Sequence, residues 1–236
     1  MNKTAALISS LMLLTSTSAA ADTLFGVYVG AQGWDMAASG SHGETKDFQD
    51  NQYSFEDETL GRFYIELEHP VPFIPNLKVA HSELTTSGML IDNASISIDS
   101  EVDLTHTDFT LYYEVFDNGL FSFDFGITGK QLDGEISDDF DIDEVDEIIP
   151  LLYLSTEIGL PLTGLSLVAE GNFLSIDDNT LLDYQAGVAW KVIDNMIVDV
   201  SLMAGYRVLE VELDDVDDVY ADLEFDGAYA GIEVHF

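Results

Sequence analysis

Ala228-Tyr229-Ala230-Gly231-Ile232-Glu233-Val234-His235-Phe236 is the stretch that decides the fold. Counted back from Phe236, every second residue is apolar: Phe236, Val234, Ile232, Ala230 and Ala228. His235, Glu233, Gly231 and Tyr229 lie between them. This is a period-two strand with one apolar face. A terminal strand of this kind is expected to close a barrel whose outer wall meets lipid.

The other end of the chain agrees. Lys3 carries a positive charge, Ala5 to Leu14 are apolar apart from Ser9 and Ser10, and Ala19-Ala20-Ala21 precede Asp22. These features read as a secretory signal peptide over residues 1–21, followed by one barrel domain over 22–236. After residue 21 no stretch approaches the roughly 20 apolar residues that a membrane helix needs. There is no cysteine, so a lipid-anchored or disulfide-built protein is not expected. The chain is 47% hydrophobic yet has a net charge of −38. Half-apolar strands joined by acidic loops account for both. Such a charge repels phosphates and argues against nucleic acid as a partner.

Alternating stretches recur at residues 24–35, 59–69, 77–90, 102–117, 120–132, 149–160, 164–176, 181–193, 196–212 and 220–236. Each can supply the roughly 9–11 residues of a tilted transmembrane strand. The fold expected is all-β, an antiparallel transmembrane up-and-down barrel of about ten strands, with eight to twelve possible. The connections are of two kinds. Pro70-Val71-Pro72 to Asn76, Asp117-Asn118-Gly119, Pro161-Leu162-Thr163-Gly164 and Asp194-Asn195 are short and turn-like. Residues 36–58, 91–101, 133–148, 177–180 and 213–219 read as longer acidic loops. Short turns on the periplasmic side and long loops outside are the asymmetry of outer-membrane barrels.

The basic residues test the phase. Beyond the leader there are six: Lys46 in a loop, and Arg62, Lys78, Lys130, Lys191 and Arg207 in strands. All five strand residues fall opposite the apolar face. Random placement would do this about one time in thirty, because a one-residue slip flips the face. A cation facing lipid at the midplane costs roughly 2–4 kcal/mol. Pointing inward, the five can meet Glu66, Asp108, Glu114, Asp124, Glu157, Glu170, Asp183, Asp199 and Glu233. A narrow barrel is then filled by its own side chains. Trp34, Tyr113, Phe116, Phe121, Tyr206 and Phe236 fall near strand ends, where interface aromatics gather, although strand propensity alone also favours them.

The signal peptide, the Gly-Val-Tyr-Val-Gly-Ala start at 26–31, the alternating strands and the terminal Phe236 together resemble small outer-membrane β-barrel proteins of Gram-negative bacteria. More narrowly, the chain is similar to an uncharacterised family of single-domain barrels of this size. The resemblance spans the whole mature chain but rests on patterns, so it implies fold and outer-membrane location and no settled activity. In such proteins the C-terminal strand is read by the barrel-assembly machinery, which implies that role for Ala228, Ala230, Ile232, Val234 and Phe236.

Candidate chemistry is sparse. His106 and Asp108 lie two apart on one inward face and could form a general-base pair for a lipid- or peptide-modifying hydrolase. A lumen hydrogen bond is the preferred reading of the pair, and no Gly-x-Ser-x-Gly accompanies them. His42 falls in a loop, His69 beside Pro70, His81 in a weakly patterned strand, and His235 faces inward near the end. Asp138-Asp139-Phe140-Asp141-Ile142-Asp143 and Asp214-Asp215-Val216-Asp217-Asp218 are rich in oxygen ligands but lack the order of an EF-hand loop. No metal site and no cofactor are expected. The partners expected are outer-membrane lipids and lipopolysaccharide, the assembly machinery, and loosely held divalent cations. The reading is a non-enzymatic structural or interaction barrel with a plugged, charged lumen. A small, porin-like, cation-preferring channel is the alternative and a hydrolase the third.

Overall fold

A computed structural model describes residues 25–43, 53–91, 97–139, 142–176, 179–195, 197–216 and 219–236. The expected signal peptide and Lys46 lie outside the described residues. Thirteen β-segments follow one another: β1 (Gly26–Gly43), β2 (Ser54–Phe55), β3 (Glu58–Glu68), β4 (Asn76–Ser82), β5 (Thr85–Ile91), β6 (Ser97–Asp103), β7 (His106–Asp117), β8 (Phe121–Asp138), β9 (Ile142–Leu160), β10 (Leu165–Ile176), β11 (Asn179–Asp194), β12 (Asp199–Val216) and β13 (Val219–His235). Short irregular joints run β2 into β3, β4 into β5 and β6 into β7, which leaves ten staves. Every stave pairs antiparallel with its neighbours in the chain. β13 returns to β1, with Tyr28 opposite His235 and Trp34 opposite Tyr229, so the barrel is closed.

The short turns are built as their residues require. Asp117 accepts from the Gly119 amide and Asn118 from those of Leu120 and Phe121, while Gly119 takes φ +74°. Asn195 accepts from the Ile197 and Val198 amides in the same manner.

A belt of apolar side chains faces outward at this end of the barrel. It includes Phe63, Ile65, Phe109, Leu111, Phe125, Ile127, Leu167, Val188, Leu202 and Ile232, all exposed. Tyr113, Phe116, Phe121, Tyr206 and Phe236 also face outward. Trp34 does not: it is 2% exposed and stands inside, because the even-numbered residues of β1 share the inward phase of Tyr229. Its expected place in an interface girdle is corrected accordingly. Leu202→Arg is expected to lower unfolding free energy by about 2–4 kcal/mol. Glu212→Arg, on the same face of the same strand, should change it by less than about 0.5 kcal/mol. Urea titration in lipid vesicles measures both.

That contrast follows from the main departure from the sequence reading. Segments 36–43, 133–138, 142–148 and 213–216, expected as loop, are strand. The strands continue past the lipid belt, and there the two faces exchange polarity without a change of phase. Along β13 the outward residues run Asp222, Glu224, Asp226, then Ala228, Ala230, Ile232 and Val234. The inward residues run Ala221, Leu223, Phe225, Tyr229, then Glu233 and His235. β12 repeats this, with Glu210 and Glu212 outside and Leu209 and Val211 inside. On β8 Asp133 and Glu135 lie outside, and Leu132 and Ile136 inside. Water bathes the outside here, so carboxylates go out and apolar side chains collect within. Trp34, Met36, Leu84, Val102, Leu104, Ile136, Leu209, Leu223 and Phe225 belong to that inner cluster. The barrel is therefore a membrane barrel at its short-turn end and a water-soluble type of barrel at the other.

Candidate functional site in the barrel interior

The lumen at the level of the lipid belt is polar, and its side chains form two tiers. In the tier nearer the short turns, Arg62 on β3 and Lys78 on β4 reach across to Glu170 on β10. The Arg62 Nη2–Glu170 Oε1 distance is 2.8 Å, and Lys78 bonds the other carboxylate oxygen. Lys78 also stands 3.2 Å from Glu66. Two tyrosines extend the tier. Tyr64 donates to Glu233 at 2.7 Å, and Tyr112 donates to both Glu66 and Glu68. The Lys78 ammonium lies 4.9 Å from the centre of the Tyr64 ring.

The second tier is deeper. Arg207 on β12 makes a two-pronged contact with Asp183 on β11, both N···O distances being 3.0 Å. Lys130 on β8 bridges Asp183 and Asp108, each at 3.0 Å. The Arg207 guanidinium also lies over the Trp34 ring at 4.7 Å. Thr110, Thr128 and Asn172 continue the chain of hydrogen bonds. Lys130, Arg207, Asp108 and Asp183 are all buried, and so are Arg62 and Lys78. The deeper tier balances two basic groups against two carboxylates; in the tier nearer the short turns Arg62 and Lys78 face Glu170 and Glu66, and tyrosine hydroxyls take up Glu68 and Glu233.

Lys191 pairs with Asp199 at 3.1 Å near the short-turn rim, with its side chain 42% exposed. His235 stacks on Tyr28 at the same end. Glu114, Asp124 and Glu157 lie on inward phases near this mouth, Asp124 opposite Ser155 on the neighbouring strand. Glu66, Asp108, Glu170, Asp183 and Asp199 each meet a base. Glu233 meets a tyrosine rather than a cation. The expected lumen charge network did not include Glu68, Tyr64 or Tyr112, although each shares the inward phase of a residue that it did.

The His106/Asp108 pair is not joined in the structure by a described hydrogen bond. His106 Nδ1 lies 2.8 Å from the Leu104 carbonyl, to which it must donate, and Asp108 is bonded to Lys130. His106, Asp108 and Asp183 do bring ligand-type atoms within 4.8 Å of one another. A cation entering there would have to displace the Lys130 ammonium, so the donor set suits an internal salt bridge better than a metal. Gln32 Nε2, Trp34 Nε1, Arg62 Nε and the Tyr229 hydroxyl are buried without a protein partner. They are neighbours across β3, β1 and β13, with Gln32 opposite Arg62 and Trp34 opposite Tyr229. Gly187 and Gly205, paired across β11 and β12, leave room for the Tyr229 ring: a Cβ on Gly187 would stand 2.7 Å from the hydroxyl.

A closed ten-stave antiparallel barrel, apolar outside and charged inside over the membrane belt, is the fold of outer-membrane β-barrel proteins. The chain is similar over 94% of its length to the outer membrane protease OmpT from Escherichia coli, with 8% identity, a TM-score of 0.51 and 99% of that chain covered. It is also similar to the Neisserial surface protein A (14% identity, TM-score 0.30, covering 89% of this chain and 97% of that one). The outer membrane protein OprG from Pseudomonas aeruginosa is a further likeness (9% identity, TM-score 0.31, covering 90% and 95%). No family model and no curated protein matches the chain.

Proposed function

We propose that this protein is an integral outer-membrane barrel that works as a closed cylinder, with a structural or interaction role at the cell surface. The observation that carries the reading is the occupation of its interior. Two tiers of paired charges fill the lumen at the lipid belt, and a layer of buried apolar side chains lies above them. Ions have no favourable route through an apolar layer. In this reading the acidic outer face of the strand extensions meets lipopolysaccharide, with divalent cations bridging carboxylates and phosphates. The strand from Ala228 to Phe236 serves as the signal for the assembly machinery.

Planar-bilayer recording tests the closed cylinder. Purified protein should give no unitary steps in 1 M KCl (a test condition chosen to favour conduction, on the order of ten times physiological ionic strength). A small cation-preferring channel is the second reading, favoured by the inward carboxylates Glu68, Glu114, Asp124, Glu157 and Glu233 near the short-turn mouth. Stable steps with cation selectivity would establish it in place of the first.

A further inference from the structure

The two sides of β9 are not equally paired. β8 pairs with it along nearly its whole length, from Ser137 opposite Ile142 to Phe121 opposite Ile158. β10 pairs with the other side only from Leu160 to Leu152. Among the described residues, none pairs with that side from Asp143 to Leu151. Pro150 gives the reason for the stop: it has no N–H to donate to a ladder, and proline inside a strand is confined to edges. β10 itself ends at Ile176, so the β8–β9 hairpin runs on beyond its neighbour. Along an antiparallel edge every second residue turns its N–H and C=O away from the partner it already has. An edge of this length is a template for one more strand.

Charge decides which strand can add there. The stretch Asp143-Glu144-Val145-Asp146-Glu147-Ile148 carries four carboxylates, and β9 has no basic residue. The register sets Asp146 opposite Asp133 and Glu144 opposite Glu135 on β8, and like charges directly opposite destabilise a ladder. Asp146 and Glu147 are exposed, and Ile148 is 69% exposed. A second copy would bring the same four carboxylates to the edge, and charge on an edge opposes that association. A basic strand would relieve the repulsion already present.

We propose that the open edge of β9 takes up an extended basic polypeptide segment by strand addition, with lysine or arginine beside Asp146 and Glu147 and an apolar residue beside Ile148. Backbone hydrogen bonds hold the segment, and the charges select it and set its register. This partner belongs to the interaction role proposed above. Its binding is read separately from conductance, so failure of the one is distinguishable from failure of the other.

The probe is a fluorescent peptide, Val-Lys-Lys-Val-Lys-Lys, which complements Asp143 to Ile148 in antiparallel order. It is titrated into the whole protein folded in detergent. The same peptide with its backbone amides methylated keeps the charge but cannot donate to a ladder, and should bind at least about 10-fold more weakly. A peptide with glutamate in place of lysine should not bind. The chain has no cysteine, so Asp146→Cys places a single thiol at the edge. It should form a disulfide with a cysteine-tagged peptide, whereas Glu212→Cys on β12 should not. Heat-modifiable migration on gels confirms that each variant is folded, and Glu147→Cys stands in should Asp146→Cys fail that check. Absence of binding, equal binding of the methylated and unmethylated peptides, or equal disulfide formation at Glu212→Cys would overturn the proposal. A wild-type dimer that the peptide does not dissociate would assign the edge to a second copy and overturn it as well.

Discussion

Asp183→Asn is expected to lower the unfolding free energy by about 3–5 kcal/mol, the cost of removing one member of a buried ion cluster and leaving the others charged. Asp183 is the hub of the deeper tier. It holds Arg207 through two bonds and Lys130 through one. Lys130 would keep Asp108, but Arg207 would retain only the 3.5 Å contacts to Ser82 and the face of Trp34. Arginine cannot shed its proton to relieve this. The measurement is urea unfolding of the protein folded into lipid vesicles, followed by tryptophan fluorescence. A second substitution, Arg207→Met, should recover a large part of the loss, because it removes the stranded charge. A loss under about 1 kcal/mol would show that the tier is as solvated as a surface pair.

Phe225→Ala should cost about 3–5 kcal/mol by leaving a cavity in the apolar layer. Phe225 is fully buried with Trp34, Leu209 and Leu223 in the part of the barrel that stands clear of the lipid belt. Phe125→Ala, which removes the same ring from an outward position 46% exposed, is the comparison. Lipid tails fill the space it leaves, so its cost should be a small part of that at Phe225. Equal losses at the two sites would mean that the apolar layer is not packed as a core. The pair of variants therefore tests whether one barrel contains two differently solvated halves.

Much of the barrel is legible in the sequence because lipid imposes a strict rule. Arg62, Lys78, Lys130, Lys191 and Arg207 could not face hydrocarbon, so their phase located the inside of five staves before any coordinates. Asn118-Gly119 and Asp194-Asn195 likewise announce turns, since their side chains cap backbone amides locally. The strand extensions were not legible by the same rule. Where Ala228-Ala230-Ile232-Val234 gives way to Asp222-Glu224-Asp226 on one face, the apolar phase reverses although the backbone phase does not. A reading that equates apolar with outward ends the strand there and writes a loop. The solvent outside had changed from lipid to water.

Partner choice was the other blind spot. The inward phase named the lumen carboxylates as a set, but which base meets which acid depends on strand tilt and on reach across the barrel. Glu170 meets residues on the opposite wall, 108 and 92 positions away in the chain. His42 meets Ser100, 58 positions away, in the same way. By itself the sequence determined a barrel of about ten staves, their phase over the lipid belt, the short turns and the closing strand ending at Phe236, because these follow from local periodicity and from the cost of charge in lipid. Only the tertiary structure decided where lipid gives way to water along each strand, which charges neutralise one another, and that His42 reaches Ser100, because those depend on distances between staves that no local pattern encodes.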